Sequence, residues 1–301
     1  MLSNNVDILY DGSEGKSSSM ATHMEDIKVI VSDAYCRKPF TKLDTLIDTK
    51  WKQEVTKNPR LYNGKKFRID HVEMQKGGDP TLFVGLTDYK EFICVNQGDN
   101  VNDIFEYGKQ EFGNKHACMG DAMGVSALTV TQDEYIIFIR RSHWVGEAKG
   151  LLDLPGGHAE PDEMAAKCNI PDLSNLSNIK GEEVRYEIFH SVLREARDEI
   201  NLPEESLTWP LLLGVIRDYT VGGKPACSFL MRCSLSKEAV FDCYSKGGPE
   251  GDESSYLTFL HTDELLKDKS ELLEEMLPQM ASCATAGLYF YKKNILKSRN
   301  E

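Results

Sequence analysis

The sequence predicts an α/β (α+β) fold: an α/β/α sandwich on a mixed sheet, preceded by a smaller, mostly β N-terminal region. Three observations carry this. Short β-branched and aromatic runs recur along the whole chain, an acidic amphipathic helix interrupts them near residue 190, and a second periodic apolar segment closes the chain.

At the N-terminus, Val6–Tyr10 reads as a short strand and 11–19 as a polar, glycine-rich loop. Ile27–Val31 follows as a β-branched strand. Leu43, Leu46, Ile47, Trp51 and Val55 recur at helical spacing until Asn58-Pro59 closes that helix. Phe67–Val72 and Pro80–Leu86 are strands joined by a turn at Gly77-Gly78-Asp79. Periodicity then lapses at 113–121, which divides the chain into an N-terminal α/β region, 1–117, and a main domain, 118–301.

Within the main domain, Val125–Val130 and Tyr135–Ile139 form a buried hairpin across Thr131–Glu134. Leu151–Leu154 is a strand running into Pro155-Gly156-Gly157. An insertion at about 164–181 precedes a helix from Glu182 to Asn201. Pro210–Ile216 and Cys227–Cys233 are strands joined by 221–225, and Tyr256–Leu260 is another. Leu272–Leu296 closes the chain as a helix interrupted near Pro278.

Composition narrows the function. The chain has 301 residues, 41% of them apolar, enough to fill a core. A net charge of −13, from 48 acidic and 35 basic side chains, repels a nucleic-acid backbone. No run approaches the ~20 apolar residues of a membrane helix. The first residues lack the basic flank and apolar core of a secretory signal. The cytoplasm is the expected address, with the nucleus also open to it. The 8 cysteines include no C-x-x-C pair and have no histidine at zinc-site spacing, so reduced thiols are expected.

The chemistry concentrates in two stretches. In the helix ending at Asn201, Ile188, Phe189, Val192, Leu193, Ala196 and Ile200 share one face, which must pack on the sheet. At about 100° per residue, Glu199 falls inside that stripe and Glu195 at its edge, with Asp198 a little further round. A carboxylate turned to apolar surface is costly without a cation. Glu195, Asp198 and Glu199, at i, i+3 and i+4, can converge on a hard divalent cation. They equally fit a charged helix end balanced by Arg194 and Arg197. The second stretch, Gly156-Gly157, offers a backbone path closed to other residues, with a carbonyl free to face a metal or phosphate.

Together these stretches resemble the box of the Nudix hydrolase superfamily, G-x5-E-x7-R-E-U-x-E-E-x-G-U, where U is aliphatic. Gly157 and Glu163 match its opening; Arg194, Glu195, Ala196, Glu199 and Leu202 match its close. Asp198 replaces a Glu and keeps a carboxylate. Asn201 replaces a glycine and tolerates the same left-handed cap. Residues 164–193 stand in the place of seven, which separates Glu163 from the helix and leaves its part open.

The stretches 85–92, 150–161, 189–203 and 247–250 are similar to a divergent branch of that superfamily, the animal UDP-sugar pyrophosphatases. That resemblance implies Mg²⁺-dependent cleavage of UDP-glucose or UDP-galactose to UMP and a sugar 1-phosphate, with Mn²⁺ as an alternative ion. Glu195, Asp198, Glu199 and the Gly157 carbonyl would hold the metal, and Glu195 and Glu199 would be catalytic, Glu195 taking the water proton. Gly156 and Arg140 or Arg141 would contact substrate phosphate, although the arginines also fit a solvated strand end. The expected partner is a small nucleotide sugar, with no nucleic acid and no membrane. ADP-ribose or another nucleoside diphosphate derivative, and an inactive nucleotide-sugar binding module, are the rival readings. The N-terminal region has no chemistry of its own; it is expected either to flank the cleft or to serve structure alone.

Overall fold

A computed structural model describes residues 2–14, 21–76 and 78–300. Of the loop expected at 11–19, Asp11 instead ends a strand and Gly12–Glu14 make a 3-10 turn, while 15–19 and Gly77 of the expected turn lie outside the described residues. In chain order the strands are β1 (Val6–Asp11), β2 (Lys28–Val31), β3 (Lys65–Met74), β4 (Pro80–Asp88), β5 (Gly124–Val130), β6 (Tyr135–Arg141), β7 (Leu152–Asp153), β8 (Gly156–His158), β9 (Leu211–Asp218), β10 (Lys224–Arg232) and β11 (Ser254–His261). The α-helices are α1 (Thr41–Lys57), α2 (Tyr89–Glu91), α3 (Val101–Phe112), α4 (Pro161–Cys168), α5 (Gly181–Ile200), α6 (Lys237–Ser245), α7 (Glu271–Met276) and α8 (Ser282–Asn300).

The main sheet has the order β1-β9-β10-β5-β6-β11, with β7 on β6 and β8 on β5. β10 runs parallel to β5 and antiparallel to β9, so the sheet is mixed. Both faces are covered, and the period of two along the strands decides what goes where. Val125, Ala127, Ile137 and Ile139 face the cluster that holds Ile188, Phe189, Val192 and Ala196 of α5. Leu128, Val130, Ile136 and Phe138 face the cluster that holds Ala284, Leu288 and Phe290 of α8. The result is the α/β/α layering expected from sequence. Among the described residues, no helix is long and apolar enough to cross a membrane.

A second sheet, β2-β4-β3, comes from the N-terminal region. Its Val29, Phe67, Ile69, Leu82 and Val84 join the α5 cluster, so chain from both sides of the boundary at 117/118 meets in one core. β1 does not join that second sheet; it is the edge strand of the main sheet, paired antiparallel with β9.

The hairpin expected at 125–139 departs from expectation. β5 and β6 share one registered pair, Val130 and Ile136, and then splay. β7 pairs with β6 at Ile139 and Arg140, while β8 pairs with β5 at Gly124, Val125 and Ser126. The glycine corner is thereby wedged into the fork between two central strands. α5 ends at Asn201, whose φ of 62° is the left-handed cap expected of it. α6 has no counterpart in the sequence reading, because Val240 is its one buried residue and a nine-residue helix shows little periodicity. All 8 cysteines are free.

Candidate active site

The fork fixes the glycine pair by proximity. Neither Gly156 nor Gly157 takes a positive φ, contrary to the special backbone path expected of them. Space is what excludes a side chain. A Cβ on Gly156 would stand 2.3 Å from the Val125 carbonyl oxygen, and one on Gly157 2.4 Å from Glu195 Oε1. The corner is glycine so that the end of α5 can press its carboxylates against it.

Glu199 is 1% exposed, as its place in the apolar stripe predicts. Its Oε2 accepts the Gly156 backbone N–H at 2.9 Å, while Oε1 has no hydrogen-bond partner. Arg141 Nη1 lies 3.7 Å from Oε1. Burial pushes the Glu199 carboxyl well above the usual range; Arg141 opposes the rise and neighbouring Glu195 adds to it. Glu195 is pushed up to about 8, by burial first and then by Glu250. Glu250 is itself raised, by burial and by Glu253. Carboxylates have been gathered here with too little positive charge to balance them.

Glu195, Glu250 and Glu253 line a cleft of about 800 Å³, together with Arg141, Glu147, Asp153, Gly156, Gly157 and Lys224, and Glu199 lies behind that lining, bonded to the Gly156 N–H. Asp153 is pushed up to about 6 by burial. Lys224 Nζ is held by Glu147 at 2.7 and 2.8 Å. The N-terminal region reaches the same cleft through Arg60, Tyr62, Lys66 and Tyr89.

Not every residue expected at the site is there. Asp198 is gripped by Arg197, with Nε to Oδ1 at 2.7 Å and Nη2 to Oδ2 at 2.9 Å, and does not line the cleft. Its spacing brings it near the other two carboxylates, but an adjacent guanidinium turns it aside. Arg140 also points away: it donates to the Tyr256 hydroxyl, the Gly150 carbonyl and Gln279, which places it on the sheet's outer side. Alternation along β6 leaves Arg141 to face the cleft. Glu163 is exposed on α4. Sequence reasoning missed Glu187, 1% exposed on α5 and bound by Arg194 Nη2 at 2.6 Å. The seven-residue interval, two helical turns, was the signal. It also missed Glu250 and Glu253, which only the tertiary fold brings to α5.

Among the described residues, no three His, Cys, Asp or Glu side chains already stand at metal-ligating spacing. The donor set nevertheless fits a divalent cation: hard carboxylate oxygens, one of them buried without a hydrogen bond, with raised proton affinities caused by desolvation and like charge.

No family model matches the chain. Over 274 residues it is 34% identical to the uridine diphosphate glucose pyrophosphatase of Bos taurus, covering 89% of this chain and 92% of that protein. The protein of the same name from Homo sapiens is also 34% identical over 274 residues, covering 89% and 88%. Nudix hydrolase 9 of Arabidopsis thaliana is 28% identical over 271 residues, covering 86% and 82%. Among solved structures, a Nudix hydrolase from M. smegmatis overlaps 58% of this chain and 84% of that one, at 13% identity and a TM-score of 0.34, too low to carry weight.

Proposed function

Since the chain belongs to the Nudix hydrolases, in the family of uridine diphosphate glucose pyrophosphatases, we propose that it cleaves UDP-glucose and UDP-galactose to UMP and the sugar 1-phosphate with Mg²⁺. The observation that carries this reading is the Glu195 and Glu199 pair, buried at a glycine corner and short of positive charge. A divalent cation bound there would neutralise the pyrophosphate and acidify the attacking water. Mn²⁺ would serve as an alternative ion.

The chain's own residues divide the remaining work. Glu195 and Glu199 would hold the cation, and the Gly156 N–H fixes the Glu199 carboxylate in place. Glu195, lining the cleft, takes the proton of the attacking water on its carboxylate. Arg141 balances Glu199 and presents a guanidinium to the substrate phosphates. Glu187, paired with Arg194, accepts the Glu160 backbone N–H at 3.4 Å and so ties α5 to the chain that leaves the glycine corner.

The test is a panel of nucleotide sugars with phosphate-coupled detection, run with and without Mg²⁺. The expected result is turnover of UDP-glucose and UDP-galactose that chelation abolishes. Faster turnover of ADP-ribose would overturn the choice of substrate, and UDP-sugar binding with no product would overturn the reaction.

A further inference from the structure

Two exposed aromatic rings line the cleft: Trp144 is 49% exposed and Tyr62 67%. Large apolar rings left in water at a cleft call for a partner. Trp144 is also held in place. Asn58 Nδ2 donates to its carbonyl at 2.9 Å, and the Arg60 guanidinium lies 5.8 Å from the centre of its ring. Arg60 is in turn fixed by Asp252 at 2.6 Å. The loop's base is tied at Ser142, whose N–H donates to the Glu253 carbonyl and whose Oγ donates to the Asp252 carbonyl, each at 2.8 Å.

Position matters as much as exposure. Arg141, three residues before Trp144, reaches Glu199. Three extended residues span at most about 10 Å, a reach that a ribose and its phosphates can bridge. A flat group at Trp144 and a pyrophosphate at Arg141 therefore fit one molecule.

We propose that Trp144, with Tyr62 in the same cleft, is the stacking platform for the nucleobase of the substrate. The inference rests on the nucleotide-sugar reading above. It gives the N-terminal region a share in substrate binding, since Asn58, Arg60 and Tyr62 all lie in the segment that follows α1. Stacking accepts any base face, so the platform supplies affinity, and selection between bases falls to other groups.

The test uses intrinsic fluorescence and calorimetry with two products of the proposed reaction. Of the 3 tryptophans, Trp144 is the one that lines the cleft. UMP is expected to quench the wild-type emission, and Trp144→Phe to lose the quench while still binding UMP. Trp144→Ala is expected to weaken UMP binding about tenfold and to raise KM for UDP-glucose in parallel, with kcat changing less. Glucose 1-phosphate binding should be untouched. Tyr62→Ala, on an exposed loop, is the second variant and should weaken UMP binding in the same direction. UMP binding that neither quenches Trp144 nor weakens in either alanine variant would overturn the proposal. So would a loss of glucose 1-phosphate binding in place of UMP, which would make the platform a hexose site. A wild type that binds and stacks UMP but does not hydrolyse UDP-glucose would instead remove the parent reading.

Discussion

Two carboxylates on α5, about three turns apart, are buried to the same depth but differ in the charge around them. Glu187 and Glu199 are each 1% exposed. Glu187 Oε1 receives the Arg194 guanidinium at 2.6 Å, and Lys167 stands 3.7 Å from Oε2. Glu199 receives one neutral backbone N–H, has one guanidinium at 3.7 Å, and sits beside a second acid, Glu195. Two cations serve the first carboxylate; one cation and a like charge surround the second. The lesson is that burial alone does not mark a functional acid. A shortfall of positive charge does: each acid leaves one oxygen without a hydrogen bond, but Glu187 has two cations while Glu199 shares one with a neighbouring acid.

The comparison can be broken most forcefully at Glu187. Replacing it with Gln strands Arg194 beside a neutral group, and breaking a buried pair this way costs about 3–5 kcal/mol. Urea unfolding measures this; a cost under about 1 kcal/mol would mean the pair is not structural.

The second prediction concerns pH. Glu195 in the folded protein titrates near 8, above its ordinary 4.5, so the folded state keeps a proton that the unfolded state releases. Stability of the metal-free protein should therefore fall as pH rises from about 4.5 to about 8 and level off above that. Thermal melts across that range read it out. Adding Mg²⁺ at the alkaline end should recover several degrees, and Glu195→Gln should lessen both responses, leaving the part carried by Glu199, Glu250 and Asp153.

Adjacent arginines sharpen the contrast further. Arg141→Ala removes the guanidinium facing the cleft and should lower kcat/KM about tenfold to a hundredfold, from a charge-assisted contact of about 1.5–3 kcal/mol. Arg140→Ala, cut from surface partners, should change kcat/KM less than about threefold. Equal losses in the two would mean that strand alternation had been read backwards. The smallest effect is expected at the cap: Asn201→Ala places a Cβ without a local hydrogen-bonding side chain in left-handed backbone, costing about 1 kcal/mol. Asn201→Gly, which keeps the left-handed backbone unstrained and loses only the Asn201 Nδ2 bond to the Cys243 carbonyl, should cost less.

Local periodicity made α5 legible from sequence: its apolar stripe, the inward turn of Glu199 and the tolerance of Asn201 for its cap all follow from residue spacing. What spacing could not reveal was set by partners distant in sequence. β1 finds β9, Arg60 finds Asp252, and Glu250 and Glu253 reach α5 only through the folded chain. Asp198 and Arg140 end away from the cleft for a related reason. Helical or strand phase states roughly where a side chain leaves the backbone; Arg197 in one case and Tyr256 with Gln279 in the other decide where it ends. Glu187 is legible from its two-turn interval to Arg194, although it lies among the stripe's apolar members.

The measurement that tests the account most directly is UDP-glucose hydrolysis by Glu199→Gln at saturating Mg²⁺, with thermal melting of the same preparation. The account predicts turnover reduced about a hundredfold or more, the scale of losing one preorganised charge at a reacting centre, with a melting temperature that, measured without Mg²⁺, equals or exceeds wild type because a buried acid crowded by Glu195 is gone. Full turnover in that variant would contradict it.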